Sequence, residues 1–214
     1  MIGSLAKRFF GWTHGVKLSP NCHLSWSVLK ALGEGVRINE KVTVFGDVTI
    51  GRFSSINGPN TALMSRINPI SIGSFCSIAP NVWIQEYSHR TDRITTYYIY
   101  RNVFGKKLEE DIRSRGPIII EDDVWVGTNA VILGGVTVGR GSIIGAGAVV
   151  TRDIPRYSVA AGNPALKIRE RFASPETSER LEDLKWWDWS KSKLDRNHKL
   201  FSLEECQIAN YDVI

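Results

Sequence analysis

Residues 120–155 read IEDDVWVGTNAVILGGVTVGRGSIIGAGAVVTRDIP, and a period of six runs through them. Cut into hexads, the stretch starts on Ile120, Val126, Ile132, Val138, Ile144 and Val150, all β-branched. The fifth places hold Val124, Ala130, Val136, Ser142, Ala148 and Ile154, mostly small or β-branched. With Ile, Leu and Val at about a quarter of the chain, six successive hits at a preset spacing arise by chance roughly once in four thousand tries. A period of six is neither helical nor that of a plain strand. It fits a short strand followed by a turn, repeated, with the first residue of each hexad pointing inward. Three hexads close a triangular coil of about 18 residues, and stacked coils pair about 4.8 Å apart. One coil cannot bury its inward row alone, so the predicted architecture is an all-β solenoid.

Ile72, Ile78 and Ile84 continue the pattern upstream in the same phase, whereas Ile38, Val44, Ile50 and Ile56 follow another. The slip between Ile56 and Ile72 predicts an irregular corner around residues 59–69. Leu18 and Leu24 extend the pattern more weakly. Gly51, Gly73, Gly127, Gly139 and Gly145 each follow the first residue of a hexad, where freedom in φ is expected to let the chain bend.

Between residues 88 and 117 the repeat vanishes, leaving HRTDRITTYYIYRNVFGKKLEEDIRSRG. A break of this length inside a repetitive core predicts an excursion loop, and such loops are usually functional. Residues 90–115 carry seven basic and four acidic side chains. Arg93, Tyr97 and Tyr98 are the candidates there for gripping an anionic, sugar-like acceptor by ion pairing and stacking. An ordinary solvated loop, its aromatics packed on the solenoid or a neighbouring subunit, is the alternative. After Val150 the period ends. Ser174, Pro175 and Glu176 predict a helix start, with a capping hydroxyl, a proline in the first turn and an acid at the positive end. Trp186, Trp187 and Trp189 cluster beyond it as a packing anchor, and the segment is expected to cover the open end of the coil or to make a subunit contact.

The hexads and the run from residue 120 to 172, with its NPALKIRERF ending, resemble the left-handed β-helix acyltransferases. The tetrapeptide WWDW at 186–189 resembles the C-terminal signature of their xenobiotic (CatB-related) branch. The resemblance covers residues 38–189. It implies a left-handed parallel β-helix, a hand that the period alone does not fix. The expected organisation is an N-terminal segment and first coil (1–35), a β-helix domain (36–172) with its excursion loop at 89–117, and a C-terminal helical tail (173–214).

A base working near neutral pH is most often a histidine. Of His14, His23, His89 and His198, only His89 falls within the recognised repeats, at the point where the excursion begins. In the resembled family a histidine at this junction deprotonates the acceptor. Glu86 and Asp92 are both near enough in sequence to orient it, and sequence does not choose between them. The resemblance further implies direct transfer from acetyl-CoA, with the cofactor along the late coils in a groove between subunits of a homotrimer. By motif position it points to Trp125, Gly127, Thr128, Ala146, Thr151, Arg152, Lys167 and Arg169. Leu166 is an extra residue relative to the commoner NPAK spacing, which leaves open which cation meets phosphate. An acyl-cysteine at Cys76 is the weaker mechanism.

Composition bounds these readings. The 214 residues carry 27 Lys and Arg against 22 Asp and Glu, a net +5 that permits anionic ligands but does not argue for nucleic acid. No apolar run approaches the ~20 residues needed to span a bilayer. Three widely spaced cysteines argue against a disulfide framework or a zinc site, and a cytoplasmic setting is expected. No metal is expected, because a hydratase of this fold would need several histidines on adjacent coils. The expected activity is acetyl-CoA-dependent O-acetylation of a saccharide hydroxyl, in cell-surface polysaccharide biosynthesis. N-acylation of an amino-sugar nucleotide, acetylation of an antibiotic, and a non-catalytic binding solenoid are the alternatives.

Overall fold

The structure, a computed structural model, describes residues 10–11, 15–208 and 211–213. His14 lies outside them. Short strands wind into a three-faced parallel prism. The first face stacks Lys17–Leu18, Arg37–Ile38, Ser55–Ile56, Ser77–Ile78, Trp125–Val126, Ile143–Ile144 and Ser158–Ala161, and Leu166–Glu170 adds an antiparallel edge strand. The second stacks His23–Leu24, Val42–Phe45, Thr61–Met64, Trp83–Gln85, Val131–Leu133 and Val149–Val150. The third stacks Val48–Ile50, Ile70–Ile72, Ile118–Ile120 and Thr137–Val138, with single bridges at Leu32 and Ile154 extending it.

Register aligns the inward residues into ladders: Ile38, Ile56, Ile78, Val126 and Ile144 on the first face, and Val44, Leu63, Ile84, Ile132 and Val150 on the second. On the third, Ile50, Ile72, Ile120 and Val138 align. None of these is more than 3% exposed, so the first place of each hexad is the core. The fifth places are buried as well, Val124, Ala130, Val136 and Ala148 at 0–1%. Leu63 explains the phase slip: it stands seven residues after Ile56 and nine before Ile72. Its coil takes up the extra length at the two flanking corners. His23, placed outside the repeats by sequence, pairs with Thr43 in the first strand of the second face.

The glycines after the hexad heads have a different role from the one expected. Positive φ falls at the fourth place instead, at Lys41, Phe53, Phe75, Asn81, Asp123, Asn129, Gly135, Gly141 and Gly147. Gly51, Gly73, Gly127, Gly139 and Gly145 are not among the positive-φ residues. They are needed for proximity. A Cβ on Gly127 would lie 2.7 Å from the amide nitrogen of Ala146, and one on Gly139 2.5 Å from that of Arg156. Both glycine N–H groups donate to a carbonyl of the next coil, Ile144 and Ile154, each at 2.8 Å. The coils touch there, backbone to backbone.

The C-terminal segment does not cover an open end of the prism. It lies along the edge where the third face passes into the first. Arg52 Nη2 donates to the carbonyl of Trp187 at 2.7 Å, Phe75 packs on Trp186 at 4.8 Å, and Arg140 lies 4.0 Å over the Trp187 ring. Glu182, on the helix Pro175–Leu184, accepts from Arg140 Nη1 at 2.9 Å and from the Tyr157 hydroxyl at 2.8 Å. The tryptophans are thus the anchor that the sequence suggested, on a side edge. No helix among the described residues is long and apolar enough to cross a membrane.

Candidate active site

The excursion leaves the prism after Trp83–Gln85 and returns at Ile118–Ile120, at the edge between the second and third faces. Its root is an antiparallel hairpin, Tyr87–His89 against Ile112–Ser114, in which His89 faces Ile112. Ile112 is 2% exposed, and Ser114 Oγ of the same strand donates to Glu86 O at 3.1 Å. His89 is therefore held on a strand at the base of the loop, with its side chain exposed.

Neither carboxylate near His89 in sequence orients it. Glu86 is buried and accepts from the backbone N–H groups of Arg66, Ile67 and Asn68 at 3.0, 3.2 and 2.7 Å, so it organises the irregular corner predicted at 59–69. Asp92 pairs with Arg90 at 2.6 Å, and that hydrogen bond holds its carboxyl below the ordinary range. The partner of His89 is a main-chain carbonyl, with Nδ1 lying 2.7 Å from Thr96 O. A carbonyl oxygen only accepts, so Nδ1 is the donor, and in the uncharged form of such a ring the lone pair lies on Nε2. Tyr98 stacks on the imidazole at 4.1 Å with the rings 5° from parallel, and burial raises the pKa of its phenol. A base needs a free lone pair and a fixed ring. His89 has both.

The acceptor candidates separate. Tyr98 lies on His89, Tyr97 is exposed, and Arg93 folds back so that Nη1 donates to Glu110 O at 2.6 Å while its guanidinium lies 4.8 Å over Tyr100. Arg93 thus braces the excursion. Cys76 is 1% exposed, its Sγ donates to Glu121 O at 3.0 Å, and burial pushes its thiol up to about 12. Such a thiol is not a nucleophile at neutral pH.

The eight cofactor candidates fall on two edges, one face and the terminal strand. Thr151 and Arg152 follow Val149–Val150, which lies two coils beyond the strand leading into the excursion, so they share the edge from which His89 projects. Gly127, Thr128 and Ala146 lie on the opposite edge of the second face. Thr128 Oγ1 donates there to Pro80 O at 2.8 Å, tying one coil to another. Trp125 is 53% exposed on the first face. Lys167 and Arg169 lie on the exposed terminal strand, Lys167 paired with Glu170 and Arg169 Nη1 donating to Glu170 O at 2.8 Å. One chain does not gather these residues into a single groove. His198, in the tail, has Nδ1 2.9 Å from Asp195 O. Among the described residues there is no group of three or more metal-ligating side chains.

A three-faced parallel solenoid with one imidazole at the root of an excursion defines a hexapeptide-repeat transferase. Residues 117–152 match the family model described as bacterial transferase hexapeptide, six repeats. The chain is 39% identical over 141 residues to a probable macrolide acetyltransferase of Lysinibacillus sphaericus, covering 62% of this chain and 77% of that one. It is 38% identical over 130 residues to a chloramphenicol acetyltransferase of Escherichia coli, covering 58% of this chain. That match spans 61% of the relative's own length. Among solved structures, a maltose O-acetyltransferase from Clostridium difficile superposes with a TM-score of 0.53 at 26% identity, covering 66% of this chain and 71% of that one. The chain belongs to the hexapeptide-repeat acyltransferase family, in its xenobiotic acetyltransferase branch.

Two features of the site had no sequence signal. The partner of His89 is a carbonyl, which every residue carries. Asp111 is one of the four acidic side chains of residues 90–115 with nothing in the sequence to set it apart, yet it is 4% exposed and accepts from two backbone amides.

Proposed function

We propose that this protein transfers an acetyl group from acetyl-CoA to an acceptor hydroxyl, with His89 as general base. The observation that carries the reading is the 2.7 Å contact of His89 Nδ1 with Thr96 O, which assigns the proton to Nδ1 and leaves Nε2 to act as the base. As the acceptor oxygen attacks the thioester carbonyl, Nε2 takes its proton, and a backbone N–H stabilises the oxyanion. The carbon–sulfur bond then breaks, and the departing thiolate takes the proton from the imidazolium. The acyl group goes directly to the acceptor, a route that the buried and protonated Cys76 favours over an acyl-cysteine.

The acceptor we propose is a saccharide in cell-surface polysaccharide biosynthesis. The likeness to a maltose O-acetyltransferase and the exposed Tyr97, an aromatic plane of the kind sugars stack on, support this. A second reading, acetylation of an antibiotic, is favoured by the identity to chloramphenicol and macrolide acetyltransferases. The cofactor candidates on opposite edges of the second face favour a homotrimer in which one protomer's edge completes another's groove. Cys22, Cys76 and Cys206 are joined in no disulfide, which fits a reducing cytoplasm.

The test is thiol release from acetyl-CoA by the purified protein against mono- and oligosaccharides, amino-sugar nucleotides, chloramphenicol and a macrolide. Turnover on a saccharide hydroxyl supports the proposal, and turnover on a drug alone selects the second reading. Release on amino-sugar nucleotides only would move the reaction to N-acylation. Binding of these ligands without release would make the protein a non-catalytic solenoid.

A further inference from the structure

Both partners of the His89 ring come from one short segment of the excursion, Thr96 through its carbonyl and Tyr98 through its ring. These residues are exposed or half-buried and belong to no strand of the prism. Something must hold them against His89. The segment runs into a one-turn helix, Ile99–Asn102, whose cap residue Tyr98 makes no side-chain capping bond. The first backbone N–H groups of a helix need outside acceptors. Asp111 supplies them from 10 and 11 residues further on: Oδ1 accepts from Tyr100 N–H at 3.0 Å and Oδ2 from Arg101 N–H at 2.8 Å.

Asp111 is well placed to transmit position. It directly precedes Ile112, the strand partner of His89, and its own carbonyl accepts from Arg90 N–H at 3.3 Å. Its main chain is thus fixed to the strand that carries the imidazole, while its carboxylate holds the segment that carries the imidazole's two contacts. Of residues 87–114, only Asp111 and Ile112 are buried. Burying a carboxylate is costly unless it is hydrogen-bonded, and two amide donors supply that compensation.

We propose that Asp111 is a positioning residue for the base: by clamping the Tyr100 and Arg101 amides it keeps Thr96 O on Nδ1 and Tyr98 on the ring, and so selects the tautomer of His89 that leaves Nε2 free. In this role Asp111 acts through Thr96 and Tyr98 and not on the acceptor itself. The proposal rests on His89 being the base, but its first readout needs no turnover.

The experiment is long-range proton–nitrogen spectroscopy of the imidazoles in the full chain, with the His89 signals assigned by their loss in His89→Gln. The native protein is expected to show His89 as the Nδ1–H tautomer. Asp111→Asn is close in size and keeps one acceptor oxygen. It is expected to bring in the Nε2–H tautomer, lower kcat about tenfold or more and leave KM for acetyl-CoA within about twofold. A folded Asp111→Asn protein with the native tautomer and native kcat would overturn the role. Amide exchange in the unmodified protein is an independent measurement should that variant fold poorly. The Tyr100 and Arg101 amides are expected to exchange more slowly than those of Gly105 and Lys107, and equal rates would overturn the clamp. A changed tautomer in a protein with no transferase activity would uphold the clamp and reject the proposed function.

Discussion

Residues 120–154 wind around the prism, residues 87–114 leave it at one edge, and the two stretches are held in opposite ways. In the late coils a buried aliphatic returns every six residues, and each lies on its counterpart in the next coil, Ile84 on Ile132 and Ile132 on Val150. In the excursion two residues are buried, and the rest is organised by single polar and aromatic contacts. The frame is therefore encoded many times over and the site once. A frame substitution should reduce stability, and an excursion substitution should reduce activity while the frame stays folded.

The largest expected effect is on the site. His89→Ala removes the proposed general base, and losses of about 10²–10⁴ in turnover are typical of that change. Thermal unfolding should stay at the native temperature, since the imidazole is exposed and its removal opens no cavity. A parallel loss of stability would mean that the excursion shares in the frame. In the opposite direction, Ile132→Ala empties a position that is 0% exposed in the middle of a ladder. It should destabilise the protein by about 2–5 kcal/mol in denaturant unfolding. Whatever remains folded should keep its turnover per active molecule.

A pair of glycines sharpens the contrast at lower amplitude. Gly127→Ala would set a methyl 2.7 Å from the Ala146 amide nitrogen and force two coils apart, a cost of about 1–3 kcal/mol. Gly105 in the excursion has φ +64° and nothing within 4 Å of an added Cβ, so Gly105→Ala meets only the backbone preference, about 1 kcal/mol. If Gly105→Ala destabilised the protein more than Gly127→Ala, the close approach of the coils would not be what these glycines serve.

How much was legible in the sequence follows the same division. The ladders could be read because each core position repeats the same residue class at a fixed interval. Leu63 escaped because the chain on either side of it departs from six. The hexad glycines were located correctly and explained wrongly, since a spacing rule says where a small residue recurs but not whether it serves φ or contact. Of the hexads' fourth places with positive φ, six are Lys41, Phe53, Phe75, Asn81, Asp123 and Asn129, where only the asparagines and the aspartate hint at such a conformation. The docking of the tail on a side edge depends on Arg52, Phe75, Arg140 and Tyr157, which are far apart in sequence and meet only once the coils are stacked. The place of His89 at the foot of the excursion was legible from the end of the repeat, while its contact with Thr96 O and the burial of Asp111 were not, because neither belongs to a pattern.

The most direct test is a crystal structure of the protein with coenzyme A bound. The thiol end is expected within hydrogen-bonding reach of His89 Nε2, or one water away, while Nδ1 stays on Thr96 O. A thiol seated elsewhere on the prism, or an imidazole turned so that Nε2 meets a protein donor, would contradict the assignment of His89 as the base.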